Sequence, residues 1–293
     1  MLLNYEGTVI RPPSEADSLI FQITLGCSDN SCVFCPAYKD KPFKIRPLEN
    51  IAKEIDFASK EYPEIRKIFL ADGDALIMPQ KQLIKIFDRI LEKFKSVRRI
   101  SLYASGKSVS LKSVRELEEL RKRKLSLVYT GFETGDPDVY KMILKHGSAQ
   151  DNAKTVNKLK EAGIKSNVTV IIGLGGKRYS ANHAFNTAMI LNASKPEQIA
   201  ALTLMISKNT PLYEMINEGV FEPLNDFESL EELKNIIENL DDFPCLFFSN
   251  HASNYVPVEA RFPKDKKEIL RLLDAIIKRK DKNDLRPDFL RGL

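Results

Sequence analysis

The sequence is short of cysteine and has no long apolar run, and each shortage excludes a class of protein. Four cysteines among 293 residues are too few for the disulfide framework of a small secreted domain. No apolar run approaches the roughly 18 residues that a membrane-spanning helix requires. The excess of positive charge is small, with 45 Lys and Arg against 40 Asp and Glu, and its spread along the chain gives little reason to expect nucleic-acid binding. We therefore expect a cytoplasmic protein without membrane or nucleic-acid partners, long enough for one α/β barrel.

Three of the four cysteines, Cys27, Cys32 and Cys35, lie within nine residues directly after an apolar run. Thiolates in so short a loop can surround one inorganic centre, and soft sulfur ligands select zinc, copper(I) or iron–sulfur clusters. A closed zinc site and an all-cysteine cluster each need a fourth ligand, but Cys245 and the three histidines are remote in the sequence. Three local ligands favour an iron–sulfur cluster with one open iron, with a zinc site and buried inert thiols as the alternatives. We expect Cys245 and His183 to pack rather than to bind metal.

The cysteine triad, its place after a first strand and the alternation of strands and helices that follows resemble the radical S-adenosylmethionine (radical SAM) superfamily, especially its Elp3/MiaB/NifB-like core. The commonest family pattern has three residues between the first two cysteines, whereas Cys27 and Cys32 enclose four. The resemblance implies that Cys27, Cys32 and Cys35 bind three irons of a [4Fe-4S] cluster and that S-adenosylmethionine (SAM) chelates the fourth. It also implies reductive cleavage of SAM to methionine and a 5′-deoxyadenosyl radical, with reduced flavodoxin or ferredoxin as electron donor.

Six apolar segments that alternate with helical patterns predict strands at residues 19–25, 68–71, 100–104, 125–130, 167–172 and 202–206. Such alternation produces parallel βαβ units, and the resemblance implies the partial, TIM-type (β/α)6 barrel of the superfamily. We divide the chain into an amino-terminal arm (1–18), a radical SAM core (19–215) and a carboxy-terminal α/β extension that closes the barrel (216–293). Functional residues of such barrels lie at the carboxyl ends of the strands.

The turn Asp72-Gly73-Asp74 directly follows the second predicted strand. At this place the family commonly carries a Gly-Gly-Glu-Pro-like motif that holds the amino group of SAM, so the resemblance implies that these three residues bind the cofactor. Only the glycine and one acid match that motif, and an ordinary Asp-Gly turn is the alternative. Phe34, beside Cys35, is predicted either to cover the cluster and its ligand or simply to pack.

Two further strand ends are assigned to SAM by the resemblance. Glu133 lies in a segment similar to the GxESG element of Elp3-like members, which implies contact with the ribose or the methionyl amine; a helix-start acid is the alternative. The fifth strand of family barrels passes its backbone beside adenine, which implies that Val170 and Gly173 belong to the adenosyl pocket. Lys145 and His146 are expected to complement the carboxyl end of the helix that begins near residue 137.

A polar loop beyond the sixth predicted strand is the candidate for substrate contact or for a lid. It contains Asn250, His251, Ser253 and Asn254, and a solvated loop is the alternative interpretation. The sequence shows no second cysteine-rich region, cobalamin-binding domain or RNA-binding domain, which favours a small-molecule substrate. The specific hypothesis is a lyase acting on a modified nucleobase, converting queuine to a 7-deazaguanine precursor. The alternatives are a radical SAM oxidoreductase of another small metabolite and a non-catalytic iron–sulfur electron carrier.

Overall fold

The computed structural model describes residues 3–292, so the first two residues of the predicted arm and the last residue of the predicted extension lie outside it. Its strands are β1 (Leu19–Gln22), β2 (Thr24–Leu25), β3 (Lys44–Ile45), β4 (Lys67–Ala71), β5 (Arg99–Tyr103), β6 (Leu125–Glu133), β7 (Lys165–Ile172), β8 (Gln198–Thr203), β9 (Cys245–Phe248) and β10 (Glu259–Phe262). Its α-helices are α1 (Leu48–Glu61), α2 (Gln80–Lys93), α3 (Gly106–Ser110), α4 (Val114–Lys122), α5 (Pro137–Met142), α6 (Ala149–Glu161), α7 (Gly176–Ser194), α8 (Pro211–Asn217), α9 (Asp226–Glu238) and α10 (Lys266–Arg279). Within this range, no helix combines the length and apolar character that crossing a membrane requires.

The first of two compact units consists of residues 3–30, Ala37–Thr130 and Asn157–Ser166. In it β1, β4, β5 and the first part of β6 pair in parallel, and β2 pairs with β3 in an antiparallel hairpin. One row of partners across the four parallel strands is fully buried and consists of Phe21, Leu70, Leu102 and Val128. The register therefore directs one side-chain face of every strand into the same core.

Two amphipathic helices cover that core. Helix α1 begins after Pro47, whose fixed φ suits a helix start, and it buries Ile51 and Ile55, one turn apart. Helix α2 buries Leu83 and Phe87 with the same spacing. All four side chains belong to the core of the first unit, and each contributes about 1.5–3 kcal/mol when fully buried.

The second unit consists of residues 31–36, 131–156 and 167–292. Its strands β7, β8 and β9 pair in parallel, whereas β10 pairs with β9 in the antiparallel direction. Its main core joins apolar residues of β7 with those of α7, α9 and α10, including Val170, Leu191, Leu233 and Leu273. These helices therefore support the strand whose carboxyl end was assigned to the cofactor.

The α/β class and the alternation of strands with helices are confirmed, but some boundaries differ. The sixth strand predicted at 202–206 was wrong, because β8 begins at Gln198 and ends at Thr203. Ile199 and Ala201 supply its buried side in alternation with less buried neighbours. Strand β6 continues beyond the predicted end at residue 130 to Glu133. The short elements β3, β10 and α3 were not predicted.

Candidate active site

The loop that carries Cys27 begins on a glycine that a second segment approaches closely. Gly26 has φ +69°, a left-handed conformation that favours glycine. A Cβ at this position would lie 2.4 Å from the carbonyl oxygen of Lys41. The thiol of Cys27 donates to the carbonyl oxygen of Asp29 at 3.2 Å. The direction in which the chain enters the cysteine loop is therefore fixed by backbone packing at Gly26.

Asp72 directly follows β4, and its carboxylate is completely buried. Its Oδ2 accepts from Nε2 of Gln22 at 3.0 Å and from the backbone N–H of Gly26 at 3.1 Å. Nζ of Lys41 donates to the same oxygen at 3.1 Å. The other oxygen, Oδ1, is buried and has no hydrogen-bond partner among the described residues. Asp72 thus holds the residue before Cys27 and keeps one acceptor for a further donor.

The next two residues of the turn form hydrogen bonds with the residues on either side of Cys27. The N–H of Gly73 donates to the carbonyl oxygen of Gly26 at 3.1 Å. Asp74 is also fully buried; its Oδ1 accepts from the N–H of Ser105 at 3.1 Å, and its Oδ2 accepts from the hydroxyls of Ser105 and Ser28. Within the first unit, the turn 72–74 therefore clamps the chain on both sides of Cys27.

Cys32 and Cys35 lie on a segment of the second unit that is held through its backbone. The N–H of Val33 donates to the carbonyl oxygen of Ile143, and the carbonyl oxygen of Val33 accepts from the N–H of Leu212, both at 3.1 Å. The side chain of Val33 is buried in an apolar cluster of this unit, and Phe34 packs against that cluster. Packing is therefore an observed role of Phe34, while its contact with the cofactor stays a prediction.

Glu133 ends β6 with φ +63°, and its side chain folds back over Gly131. A Cβ on Gly131 would come within 1.8 Å of Oε1 of Glu133. This position of the Glu133 carboxylate therefore requires a glycine at residue 131. Nζ of Lys145 lies 3.2 Å from Oε1. Burial lowers the pKa of Lys145, but the Glu133 carboxylate, followed by Cys32 and Tyr140, more than offsets this effect and raises the pKa. Lys145 thus pairs with Glu133 instead of complementing the end of α5 as predicted.

Val170 and Gly173 lie at the carboxyl end of β7, next to the end of β8. Val170 is fully buried in the core of the second unit. Gly173 has φ +83°, and the N–H of Leu204 donates to the carbonyl oxygen of Ile172 at 2.9 Å. A cavity of about 140 Å³ opens here and is bordered by Gly173 and by Arg291 from the tail. Gly173 thus borders a small space, and binding of the adenosyl group by Val170 and Gly173 stays a prediction.

Most polar side chains of the loop 250–254 form hydrogen bonds with other residues of the protein. Asn254 is buried, accepting from the hydroxyl of Thr203 at 2.8 Å and donating to the carbonyl oxygen of Ala201 at 3.0 Å. Nδ1 of His251 lies 3.0 Å from Oγ of the buried Ser253. Nδ2 of the exposed Asn250 lies 3.4 Å from a carboxylate oxygen of Glu259. These bonds fix the loop against β8, and its contact with substrate stays a prediction.

Two arginines from the carboxy-terminal tail complete this loop, and sequence reasoning missed both. Arg286 donates to the carbonyl oxygens of His251 and Asn254 at 2.8 and 3.1 Å. Burial, followed by the charge of Arg286, lowers the pKa of His251. Nε of Arg291 donates to the carbonyl oxygen of Ser253 at 2.8 Å, and its guanidinium stacks on the ring of Tyr255 at 3.7 Å. The composition of the tail carries no local signal for these contacts.

The predicted sulfur ligands are present as thiols. None of the four cysteines, all of which are described, forms a disulfide. Among residues 3–292, no three His, Cys, Asp or Glu side chains are placed as ligands of one metal ion. In an iron–sulfur cluster each thiolate binds its own iron. Three cysteine ligands of a cluster therefore do not have to converge on a single metal ion.

Comparison with known proteins finds a family and several relatives. The family model of the radical SAM superfamily matches residues 21–184. An uncharacterized protein of Methanocaldococcus jannaschii is 23% identical over 246 residues, covering 80% of this chain and 74% of that protein. The heme chaperone HemW of Bacillus subtilis is 23% identical over 162 residues, covering 54% of this chain and 41% of HemW. The structure of the radical SAM methyltransferase TsrM from Kitasatospora setae, with cobalamin and a [4Fe-4S] cluster bound, is similar with a TM-score of 0.55. At 15% identity, with 69% of this chain and 39% of TsrM covered, that likeness shows the fold.

The matched stretch contains the cysteine triad and the ends of β4, β6 and β7. Three thiols and a buried carboxylate oxygen without a donor are suitable partners for an iron–sulfur cluster and for the ammonium group of SAM. The cofactors of the protein are accordingly a [4Fe-4S] cluster and SAM. Because the family model covers more than half of the 293 residues, the chain belongs to the radical SAM superfamily.

Proposed function

We propose that the protein reductively cleaves SAM and uses the product to abstract a hydrogen atom from a small organic substrate. Membership of the radical SAM superfamily supports an enzyme of this general kind. When bound and reduced, a [4Fe-4S] cluster would supply the electron for cleavage of the sulfonium bond of SAM. The residues of the protein bind and orient the two cofactors and exclude water.

Cys27, Cys32 and Cys35 are the proposed ligands of three irons. The support is their spacing in one short loop together with the absence of disulfides among the described cysteines. A [4Fe-4S] cluster with three protein ligands keeps one iron open for the amine and carboxylate of SAM. The clamp of the turn 72–74 around Cys27 supports this assignment, because a rigid loop reduces the entropy lost when the ligands are ordered.

One observation carries the proposal for SAM: the buried Oδ1 of Asp72 has no hydrogen-bond partner among the described residues. A buried acceptor left without a donor costs about 1–3 kcal/mol, and more if it is charged. The methionyl ammonium group of SAM is a cationic donor that offsets this cost. We therefore assign Asp72 to the amine, with Gly73 and Asp74 shaping the turn.

Glu133, Val170 and Gly173 are proposed to bind the adenosyl part of SAM. Glu133 combines an acceptor at the end of β6 with a charged neighbour, Lys145, at 3.2 Å. Gly173 borders a cavity of about 140 Å³ at the end of β7, and Val170 is a buried apolar residue of the same strand. This mixture suits a purine face and a ribose hydroxyl.

A modified nucleobase is the specific substrate we propose, with queuine and its conversion to a 7-deazaguanine precursor as the reaction to test first. The exposed amide of Asn250 and the imidazole of His251 are groups that can bind the edge of a heterocycle. Reduced flavodoxin or ferredoxin is the proposed electron donor. The rival functions are a radical SAM oxidoreductase of another small metabolite and an iron–sulfur protein that only carries electrons.

The decisive experiment is anaerobic reconstitution with iron and sulfide, followed by dithionite and SAM. We expect about four irons per chain and the appearance of 5′-deoxyadenosine by chromatography. Queuine is then added, and its consumption with release of a 7-deazaguanine is expected. Cleavage of SAM without consumption of queuine would show that the substrate is a different metabolite. A fully loaded protein that cleaves no SAM with any substrate indicates an electron carrier, and uptake of zinc alone overturns the radical mechanism.

A further inference from the structure

A chain of hydrogen bonds in the second unit joins two strand ends through His183. This residue lies on α7 and is fully buried. Its Nδ1 lies 2.8 Å from Oγ1 of Thr134, the residue that follows Glu133 at the end of β6. Its Nε2 lies 3.0 Å from the carbonyl oxygen of Ile171 on β7. His183 therefore links the ends of β6 and β7.

The partners of the ring assign its proton. A carbonyl oxygen only accepts, so Nε2 carries the hydrogen and donates to Ile171. The hydroxyl oxygen of Thr134 accepts from the N–H of Asp136 at 2.9 Å, and the same hydroxyl pairs with Nδ1 of His183.

Glu232 extends the chain from α9 and is also buried, with 1% of its surface exposed. One oxygen accepts from the N–H of Gly173 at 2.5 Å, and the other accepts from the hydroxyl of Ser180. The first oxygen lies 3.5 Å from Nε2 of His183. Burying a carboxylate is costly, and apolar side chains of similar volume often pack at lower cost.

We propose that Glu232 and His183 are positioning residues that hold the ends of β6 and β7 where Glu133 and Gly173 receive SAM. This inference rests on the proposed function, because it assumes that these two strand ends bind the cofactor. The bond from Glu232 reaches the backbone of Gly173, a residue with φ +83°. A binding group must be held to within about 0.5 Å to act well. Without this acceptor, the N–H of Gly173 must find another partner and the strand end moves.

Equilibrium binding of SAM to the reconstituted holoenzyme, without reductant, tests the inference. Glu232→Ala is expected to weaken binding about tenfold or more, because it leaves a buried N–H without an acceptor. Glu232→Gln keeps one acceptor oxygen for Gly173, and we expect a loss of about threefold. Iron content is expected to be unchanged in both variants, because Glu232 bonds to Gly173 and Ser180 rather than within the cysteine loop. If the alanine variant does not fold, the glutamine variant carries the test.

Glu15→Gln is the matched control, since Glu15 is an equally buried carboxylate that contacts the amino end of a strand, β5, instead of a carboxyl end. It accepts from Arg99, the first residue of β5, at 2.7 Å and from the hydroxyl of Tyr129 at 2.6 Å. This variant is expected to lose stability but to bind SAM within about twofold of the wild type. If both acids affect SAM binding in proportion to lost stability, the role of Glu232 is merely structural and the inference is overturned.

A second readout needs no bound cofactor. The chain contains 3 histidines, so nitrogen-15 NMR of histidine-labelled protein resolves each ring. We expect His183 to carry a hydrogen on Nε2, and Thr134→Val to shift its Nδ1 resonance. Hydrogen exchange at the amide of Gly173 is expected to quicken at least tenfold in Glu232→Ala.

The outcomes separate the two hypotheses. A wild-type holoenzyme that binds no SAM refutes the proposed function and, with it, this inference. If the wild type binds SAM and both Glu232 variants bind it as tightly as the wild type, the inference is refuted but the proposed function is not. Unchanged exchange at Gly173 would likewise show that Glu232 does not hold the strand end.

Discussion

Gly73 lies against Cys27, and the contact leaves no room for a side chain. A Cβ on Gly73 would come within 3.0 Å of Cβ of Cys27 and within 2.7 Å of the ring of Tyr38. The ring is buried, so it cannot move into solvent to make space. The turn after β4 is therefore built around the first cysteine of the triad, in addition to its proposed contact with SAM.

The replacement Gly73→Ala is expected to displace Cys27 and to reduce the iron bound after reconstitution to less than half of the wild-type amount. The physical cause is the overpacking of a buried site, which typically costs about 1–3 kcal/mol. Iron and sulfide analysis after anaerobic reconstitution measures the effect. Gly292→Ala is the control, because a Cβ there meets no atom within 4 Å. Full iron loading of Gly73→Ala would show that the residues around Gly73 can shift without any effect on cluster binding.

The buried ion pair of Asp72 and Lys41 predicts a loss of stability. Their side chains are 0% and 14% exposed, and removal of one partner from such a pair costs about 3–5 kcal/mol. We expect Asp72→Asn to lower the free energy of unfolding by about 3 kcal/mol, measured by urea denaturation. Glu49→Gln removes the exposed pair with Lys53 and is expected to change nothing measurable. Equal stability of the two variants would contradict a structural role for Asp72.

Local patterns allowed much of this structure to be predicted. The apolar runs of β1, β4 and β5 and the helical spacing of α1 and α2 are contained within each segment, so periodicity finds them. The cysteine triad was equally visible because its ligands are neighbours in sequence. Strand β8 was misplaced because the apolar stretch at 202–206 continues past Thr203, and a run of this kind does not mark where pairing stops.

Contacts between distant segments could not be predicted from the sequence. Asp72 reaches Gln22 across 50 residues and Lys41 across 31, and nothing in the turn 72–74 indicates either partner. Glu232 looks like one acid among several on α9 until the structure places it against Gly173. The polar loop likewise gives no local sign that Asn254 is bonded to β8. Such pairings depend on tertiary packing, which overrides local preference.

The pair of Glu133 with Lys145 leads to a prediction that separates SAM binding from cluster assembly. Glu133→Gln keeps the shape of the side chain but removes its charge, and hydrogen bonds to charged groups contribute about 1.5–3 kcal/mol. We expect binding of SAM to weaken at least about tenfold, with iron content unchanged, as measured by equilibrium dialysis and iron analysis. Glu161→Gln, at an exposed position on α6, is the control. Unchanged affinity for SAM would mean that Glu133 pairs with Lys145 but does not contribute to SAM binding.

The pKa of Cys245 predicts how stability depends on pH. Burial raises the pKa of this thiol from its usual 9.0 to about 12. The native state therefore holds the proton more tightly than the unfolded state, and stability falls as pH rises from about 9 towards 12. Urea denaturation at pH 8 and pH 10 measures the effect, which is expected to be smaller in Cys245→Ala. The same slope in both proteins would show that the thiol is not buried in solution.

The two buried cysteines, Cys32 and Cys245, provide the sharpest test of the proposed cluster. Both are buried thiols, at 8% and 7% exposure, so alanine removes a similar amount of packing from each. Only Cys32 belongs to the triad, and we expect Cys32→Ala to bind little iron and to form no 5′-deoxyadenosine, because two remaining thiolates do not hold a [4Fe-4S] cluster.

Cys245→Ala is expected to retain full iron and SAM cleavage, with only the stability loss of a small cavity. Circular dichroism establishes that both variants are folded before iron is measured. Iron and SAM cleavage in Cys32→Ala would refute its role as a ligand. Loss of iron in Cys245→Ala would make that residue the fourth ligand, and a cluster with four protein thiolates has no open iron for SAM.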